Sequence, residues 1–274
     1  MNLVWGILIT LGATAVAVTA MLLVRRSAPE GSYFKDGDRA SGVFGVLATG
    51  FSILLGFVIF LTFTSYDQSR SGAETEALAV SQQVETAQFF PPTSRGVLAG
   101  ELICYGRSVI HGEWAKMEAG TQGDTINAWG VRLFQTLEQV KPQTATEQSA
   151  YDKWLEQTST REQARQDRIH GAVGVIPSPL WIVLFFIAGV IFVYMLFFAD
   201  SGEGRVTQGL LMGAVTSVVV GMLLLVVFLN SPFHKGVGGL RPVAMERTLR
   251  IVDQALGATG KNVTIPCDAQ GKTL

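Results

Sequence analysis

Side chains capable of acid–base, metal or nucleophilic chemistry are few in this chain and are not spaced for it. His111, His170 and His234 are scattered and the two cysteines stand far apart, so metal-ligand spacing is absent and no metal site is expected. Glu74 and Glu76, two residues apart on a helical pattern, point to different faces and do not make an acid/base pair. His111 and Lys116, five apart, read as surface residues. No GxxxxGKS, HExxH or GxSxG motif occurs. The sequence therefore predicts no catalytic residues, no cofactor and no enzyme.

The spacing that does suggest a function is physical. Thr49, Ser52, Gly56, Ile59, Phe60 and Phe63 recur at three or four residues in an uncharged run, with small and hydroxyl side chains giving way to large apolar ones. Such a face can line a pore and gate it at an apolar constriction. The same spacing also serves helix packing, and large apolar residues in a span also face lipid. Arg70, a few turns further on, is a pore-mouth candidate that would attract anions; Glu74, Glu76 and Glu85 would favour cations. Most such charges simply form a solvated face.

The element that must carry these residues is one long helix. Residues 42–66 contain no charge and are long enough to cross a hydrocarbon core of about 30 Å at about 1.5 Å per residue. No proline follows, and Ala73, Ala77, Val80, Val84 and Ala87 continue a single apolar stripe, so the helix is expected to run into water until Pro91 and Pro92 stop it. Such a helix joins a membrane segment to a soluble one.

Three further apolar runs, at 3–24, 180–199 and 207–229, predict an all-α integral membrane protein. It has four transmembrane helices, with a helical extramembrane domain between the second and third. The first run lacks the basic n-region of a cleaved signal, so it reads as a retained span. The expected organisation is a first transmembrane hairpin at 1–66, the helical domain at 67–178, a second hairpin at 179–230, and a C-terminal helix and tail at 231–274. Within the domain, three faces are expected to be buried. They are Val97, Leu98, Leu102, Tyr105 and Val109; then Val131, Phe134 and Leu137; then Tyr151, Trp154 and Leu155. Breaks are expected at 120–123 and at Lys141 and Pro142, and the tail is expected to be only partly ordered.

With 48% hydrophobic and 16% charged residues and a net charge of −1, the chain suits a lipid bilayer and offers no basic block for nucleic acid. None of the four runs contains an ionisable residue, which argues against a proton-driven stator, a pump or a voltage sensor. Four spans are too few to enclose a channel, so conduction would need a ring of copies. By parity the helical domain and the tail share one side, which places Cys104 and Cys267 in one compartment. Arg25, Arg26, Lys35 and Arg39 crowd the loop after the first span, favouring that loop inside and the domain outside the cell membrane. Basic residues flanking the later spans, among them Arg161, Arg165, Arg168 and Lys235, argue the other way. If the domain is outside, the two cysteines can form a disulfide; otherwise they are buried thiols.

The layout resembles the bacterial bestrophin-like group. The residues that carry the resemblance are Ser65, Tyr66 and Asp67 leading into Glu74-Thr75-Glu76-Ala77, then Pro177-Ser178-Pro179-Leu180-Trp181, then Asn230-Ser231-Pro232-Phe233. The chain departs from the pattern at Asn230, where an Asp is expected, and at His234 and Lys235, two residues before Gly236 where one is expected. The resemblance implies four spans per subunit, a homo-oligomer that is a pentamer, and conduction of inorganic anions through a pore narrowed by rings on the second span. The leading expectation is an oligomeric, anion-conducting ion channel with Ile59, Phe60 and Phe63 at the constriction. The alternative is a membrane-anchored sensor or scaffold whose helical domain binds a partner.

Overall fold

A computed structural model describes residues 3–121, 126–258 and 263–274. Among the described residues the regular elements are helical. They are α1 (Leu3–Arg25), α2 (Gly37–Ala87), α3 (Pro92–Ser108), a π-turn (Val109–Glu113), α4 (Trp114–Glu118), α5 (Ala128–Glu138), α6 (Ala145–His170), α7 (Ser178–Leu196), α8 (Arg205–Leu229) and α9 (Val243–Ala258). Of these, α1, α2, α7 and α8 are long and apolar enough to cross a membrane. The chain is an all-α integral membrane protein with four spans.

Two compact units are present. The first comprises Met1–Thr64, Val175–Asn230 and Lys235–Val237. Phe51, Leu55 and Val58 of α2 pack there with Leu184 and Ile191 of α7 and Leu223 and Val226 of α8. A second cluster joins Ala17 and Met21 of α1 to Met212 of α8. Gly213 lets α1 and α8 approach closely, since a Cβ there would touch Thr14 and Val18 at 3.4 Å, and Thr14 and Ser217 hydrogen-bond at 3.0 Å. At the turn before α8 the Arg25 guanidinium donates to the carbonyls of Ser201 and Glu203, and Asp200 accepts from the amides of Gly31 and Gly202.

The second unit comprises Ser65–Gly174, Ser231–His234 and Gly238–Leu274. Its core takes Ala77, Val80, Val84 and Ala87 from the stripe of α2, together with Leu98, Leu102, Tyr105, Trp114, Trp129, Leu133 and Trp154. Helix starts are chemically specified. Asn127 caps α5 by accepting from the amides of Trp129 and Gly130, and Thr144 with Glu147 forms a capping box on α6. Between α3 and α4 the helix widens, and the Trp114 amide donates to the Val109 carbonyl five residues back.

The expected domain faces need correction. Val97, Val131, Phe134 and Leu155 are exposed, and α5 buries Trp129, Leu133 and Leu137 at a four-residue spacing instead. The expected break at 120–123 falls partly on 122–123, outside the described residues. The tail at 263–274 is ordered. It is joined to α3 by a Cys104–Cys267 disulfide, pairs Cys267 with Thr273, and receives a 2.6 Å hydrogen bond from Trp129 Nε1 at the Gly271 carbonyl.

Candidate pore face and buried charge network

The span of α2 is two-sided. Phe51, Leu55, Val58 and Thr62, at four- and three-residue steps, are buried, with Thr62 donating its hydroxyl to the Val58 carbonyl. Thr49, Ser52, Gly56, Phe60 and Phe63 lie on the exposed side of the single chain, Phe60 at 63% and Phe63 at 54% exposure. Ser52 is bonded to the Ala48 carbonyl, which hides much of its polarity. A Cβ on Gly56 would meet nothing within 4 Å. Ile59 differs from the others. It is half-buried against the core cluster, leaving Phe60 and Phe63 as the large candidates on an outward side that also exposes Ile53, Phe57 and Leu61.

Beyond the span, Arg70 is exposed and forms a 3.2 Å ion pair with Glu74 one turn on. Its charge is therefore largely offset on its own helix. Glu85 is exposed as well. Glu76 is not, and the reading of it as a solvated charge needs correction: its side chain is fully buried. Arg168 of α6 grips it with Nε on Oε2 at 2.5 Å and Nη2 on Oε1 at 3.1 Å, and Tyr105 donates to Oε1 at 2.6 Å. Arg168 also reaches Glu113 at 2.5 Å, and Arg165 joins Glu113 at 3.1 Å. Asn127 donates to Glu113 at 2.8 Å. On the same face of α6, Arg161 donates to the side-chain Oε1 of Gln83 at 2.8 Å and lies over the Tyr105 ring.

Two carboxylates thus face the guanidiniums of Arg165 and Arg168, while Arg161 pairs at 3.0 Å with Glu162 at the edge of the cluster. Burial pushes Tyr105 well above its ordinary value and the Glu76 charge pushes it further, so it stays a hydroxyl and donates. Burial opposes a charged Glu113, but Arg168 and then Arg165 overcome that and hold its carboxyl below the usual range. Burial likewise opposes the charge on Arg168, and Glu76 overcomes it, leaving the guanidinium more firmly protonated than usual. The cluster fastens α2, α6 and the π-turn together. The signal in the sequence was Arg161, Arg165 and Arg168 at four- and three-residue steps, a one-faced arginine stripe on a helix. All three are buried.

Among the described residues no group of three or more His, Cys, Asp or Glu could hold a metal ion. His111 and Lys116 are exposed. Asn230, where the resemblance leads one to expect Asp, uses its side-chain oxygen to accept from the amides of Val175 at 2.9 Å and Ile176 at 3.1 Å. An amide oxygen fills that role without a charge.

Four spans and a helical extramembrane unit define a polytopic membrane protein. A model of the bestrophin-like domain matches residues 11–244. Among solved structures, a membrane protein crystallised as a point variant aligns with TM-score 0.69 at 14% identity, over 92% of this chain and 99% of that one. Two point variants of a bacterial bestrophin homologue from Klebsiella pneumoniae align with TM-score 0.67. One is 14% identical over 93% of this chain and 98% of its own, the other 15% identical over 94% and 99%. No curated protein matches the sequence. The chain belongs to the bestrophin-like family.

Proposed function

We propose that the protein is a homo-oligomeric ion channel whose pathway is lined by the outward face of α2, with Thr49, Ser52 and Gly56 along its wall and Phe60 and Phe63 at its constriction. The observation that carries this reading is the two-sidedness of the span. One face is consumed by the core of the unit, and the other leaves five of the six candidate residues exposed in the single chain. A second copy in a ring gives that face its neighbours, and a pentamer is the ring that the family suggests. The permeant species are small inorganic ions, anions by the same resemblance, with Arg70 at the mouth tempered by Glu74.

The helical unit is extracytoplasmic in this reading. Four basic residues in the loop after the first span support it. The Cys104–Cys267 pair supports it too, since such bonds persist in oxidising compartments.

The test is ion flux through liposomes containing the full-length protein. Phe60→Ala and Phe63→Ala are expected to raise conductance or remove gating while leaving the oligomer intact. A monomer or dimer in mild detergent, or flux indifferent to both substitutions, counts against the reading.

A further inference from the structure

The first unit contains a cleft that none of the features above uses. It lies between α1, α7 and α8, has a volume of about 300 Å³, and is walled by Val16, Phe192, Met195, Met212, Val219 and Leu223 among others. Thr216 is the single polar residue on its walls. Size and lining are those of a small-ligand site. Because the walls are membrane-crossing helices, the apolar ligand at hand is an acyl chain.

The chemistry at one end of the cleft narrows this further. Val219, Met212, Gln208 and Arg205 follow one another along one stripe of α8 at steps of seven, four and three. Gln208 is 2% exposed, and neither its side-chain oxygen nor its nitrogen has a partner among the described residues. A buried amide left unbonded is costly, and this one lies one turn beyond Met212 of the cleft wall, on the same stripe. One turn further on, Arg205 is exposed and has no ion pair among the described residues. Arg26 is exposed too and follows Arg25, whose guanidinium is committed to the carbonyls of Ser201 and Glu203, just before Arg205. Asp200 is occupied by two backbone amides, leaving Glu203 as the other acid of that turn. Arg205 at the start of α8 and Arg26 just after α1, then a buried amide and an apolar slot along α8, match the phosphate, ester and chain of a phospholipid.

We propose that this cleft is a binding site for an anionic glycerophospholipid. One acyl chain lies between α1, α7 and α8, its ester region meets the Gln208 amide, and its phosphate sits at Arg205 and Arg26. Charge complementarity selects an anionic headgroup over a zwitterionic one. The site stands independently of the channel reading.

The full-length protein in dioleoylphosphatidylcholine vesicles is to be photolabelled with a small fraction of phosphatidylglycerol, or of phosphatidylcholine, carrying a diazirine in one acyl chain. Labelled residues are then mapped by mass spectrometry. The phosphatidylglycerol probe is expected to label peptides bearing Phe192, Met195 and Met212 severalfold more than the phosphatidylcholine probe. Arg205→Gln and Arg26→Gln each lower that labelling about fivefold, the worth of one basic group at an anionic headgroup, and leave phosphatidylcholine labelling unchanged. Arg205→Lys retains it, which separates loss of the site from loss of the fold. Gly189→Leu, which fills the cleft, lowers labelling by both probes. Equal labelling by the two probes, or phosphatidylglycerol labelling that survives both glutamine substitutions, overturns the proposal.

Discussion

Arg168 and Glu76 form an ion pair in which neither side chain is reached by solvent, although 92 positions separate them in the chain. Removing Glu76 leaves two buried guanidiniums, Arg165 and Arg168, to the single Glu113 carboxylate, and such a buried imbalance costs roughly 3–5 kcal/mol. Glu76→Ala is therefore expected to lower the unfolding midpoint sharply. A double substitution of Glu76 and Arg168 to apolar side chains should recover much of that loss. Thermal unfolding in mild detergent measures both, and a double variant no more stable than Glu76→Ala would show that the pair is not the source of the loss.

Gly72 marks the closest approach of α2 to α6. A Cβ at this position would collide with the backbone nitrogen of Arg168 and come within 2.7 Å of the Ala164 carbonyl oxygen. Backbone cannot yield as a side chain can, so Gly72→Ala is expected to destabilise by roughly 1–3 kcal/mol. It should also loosen the Glu76–Arg168 pair one turn away, seen as faster amide exchange across 161–170. Unaltered exchange there would show that the two helices separate without cost.

Glu101 and Glu113 should give the helical unit opposite pH responses. Burial raises the Glu101 carboxyl, against the smaller pull of its Thr136 hydrogen bond and of Arg132, and one of its oxygens has no partner among the described residues. The folded state therefore binds that proton more tightly than the unfolded one, and its stabilisation fades as pH rises from about 4.3 through the folded value. Glu113 is depressed, so its contribution is present above about 4.3 and is lost as pH falls through its lower folded value. Glu101→Gln should be more stable than the parent at pH 7, and Glu113→Gln less stable there but flatter in acid. Unfolding midpoints at a series of pH values check both signs.

The Cys104–Cys267 bond closes a separation of 163 residues. Replacing both cysteines by serine is expected to cost about 2–5 kcal/mol and to free the tail. Non-reducing against reducing peptide mapping detects the bond. After reduction, a thiol reagent that crosses no membrane should label Cys267 in intact cells. Labelling only after the cells are opened would reverse the proposed orientation.

Where a single helix supplies its own pattern, the sequence was readable. The uncharged runs delimit α1, α2, α7 and α8 to within a few residues, and Ala77, Val80, Val84 and Ala87 announce the buried stripe of α2 beyond the membrane. What depends on a distant partner was not readable. Glu76 looks like any solvated glutamate until Arg168 is brought to it, and Val131 and Phe134 look as apt for a core as Trp129 and Leu133, which take that place. Polar composition suggested a loose tail, but one covalent bond and the Trp129 hydrogen bond hold it. For the outward face of α2, the periodicity identified a set of residues, and only packing separates Ile59 from Phe60 and Phe63.

The π-turn at Val109–Glu113 has a consequence for how this chain can change over generations. Buried positions run Leu98, Leu102, Tyr105 and Val109 in ordinary helical steps and then jump five to Trp114, so the segment holds one residue more than a regular helix needs. Losing a residue between 110 and 112 would restore regular winding and, judged locally, improve the helix. Because the wide turn already absorbs the surplus residue, Trp114 lies one turn beyond Val109 with that residue and would lie one turn beyond it without, so Glu113 would keep its side toward Arg165 and Arg168. The irregular turn therefore acts as slack in chain length: lineages are expected to gain or shed one residue here while keeping both arginines.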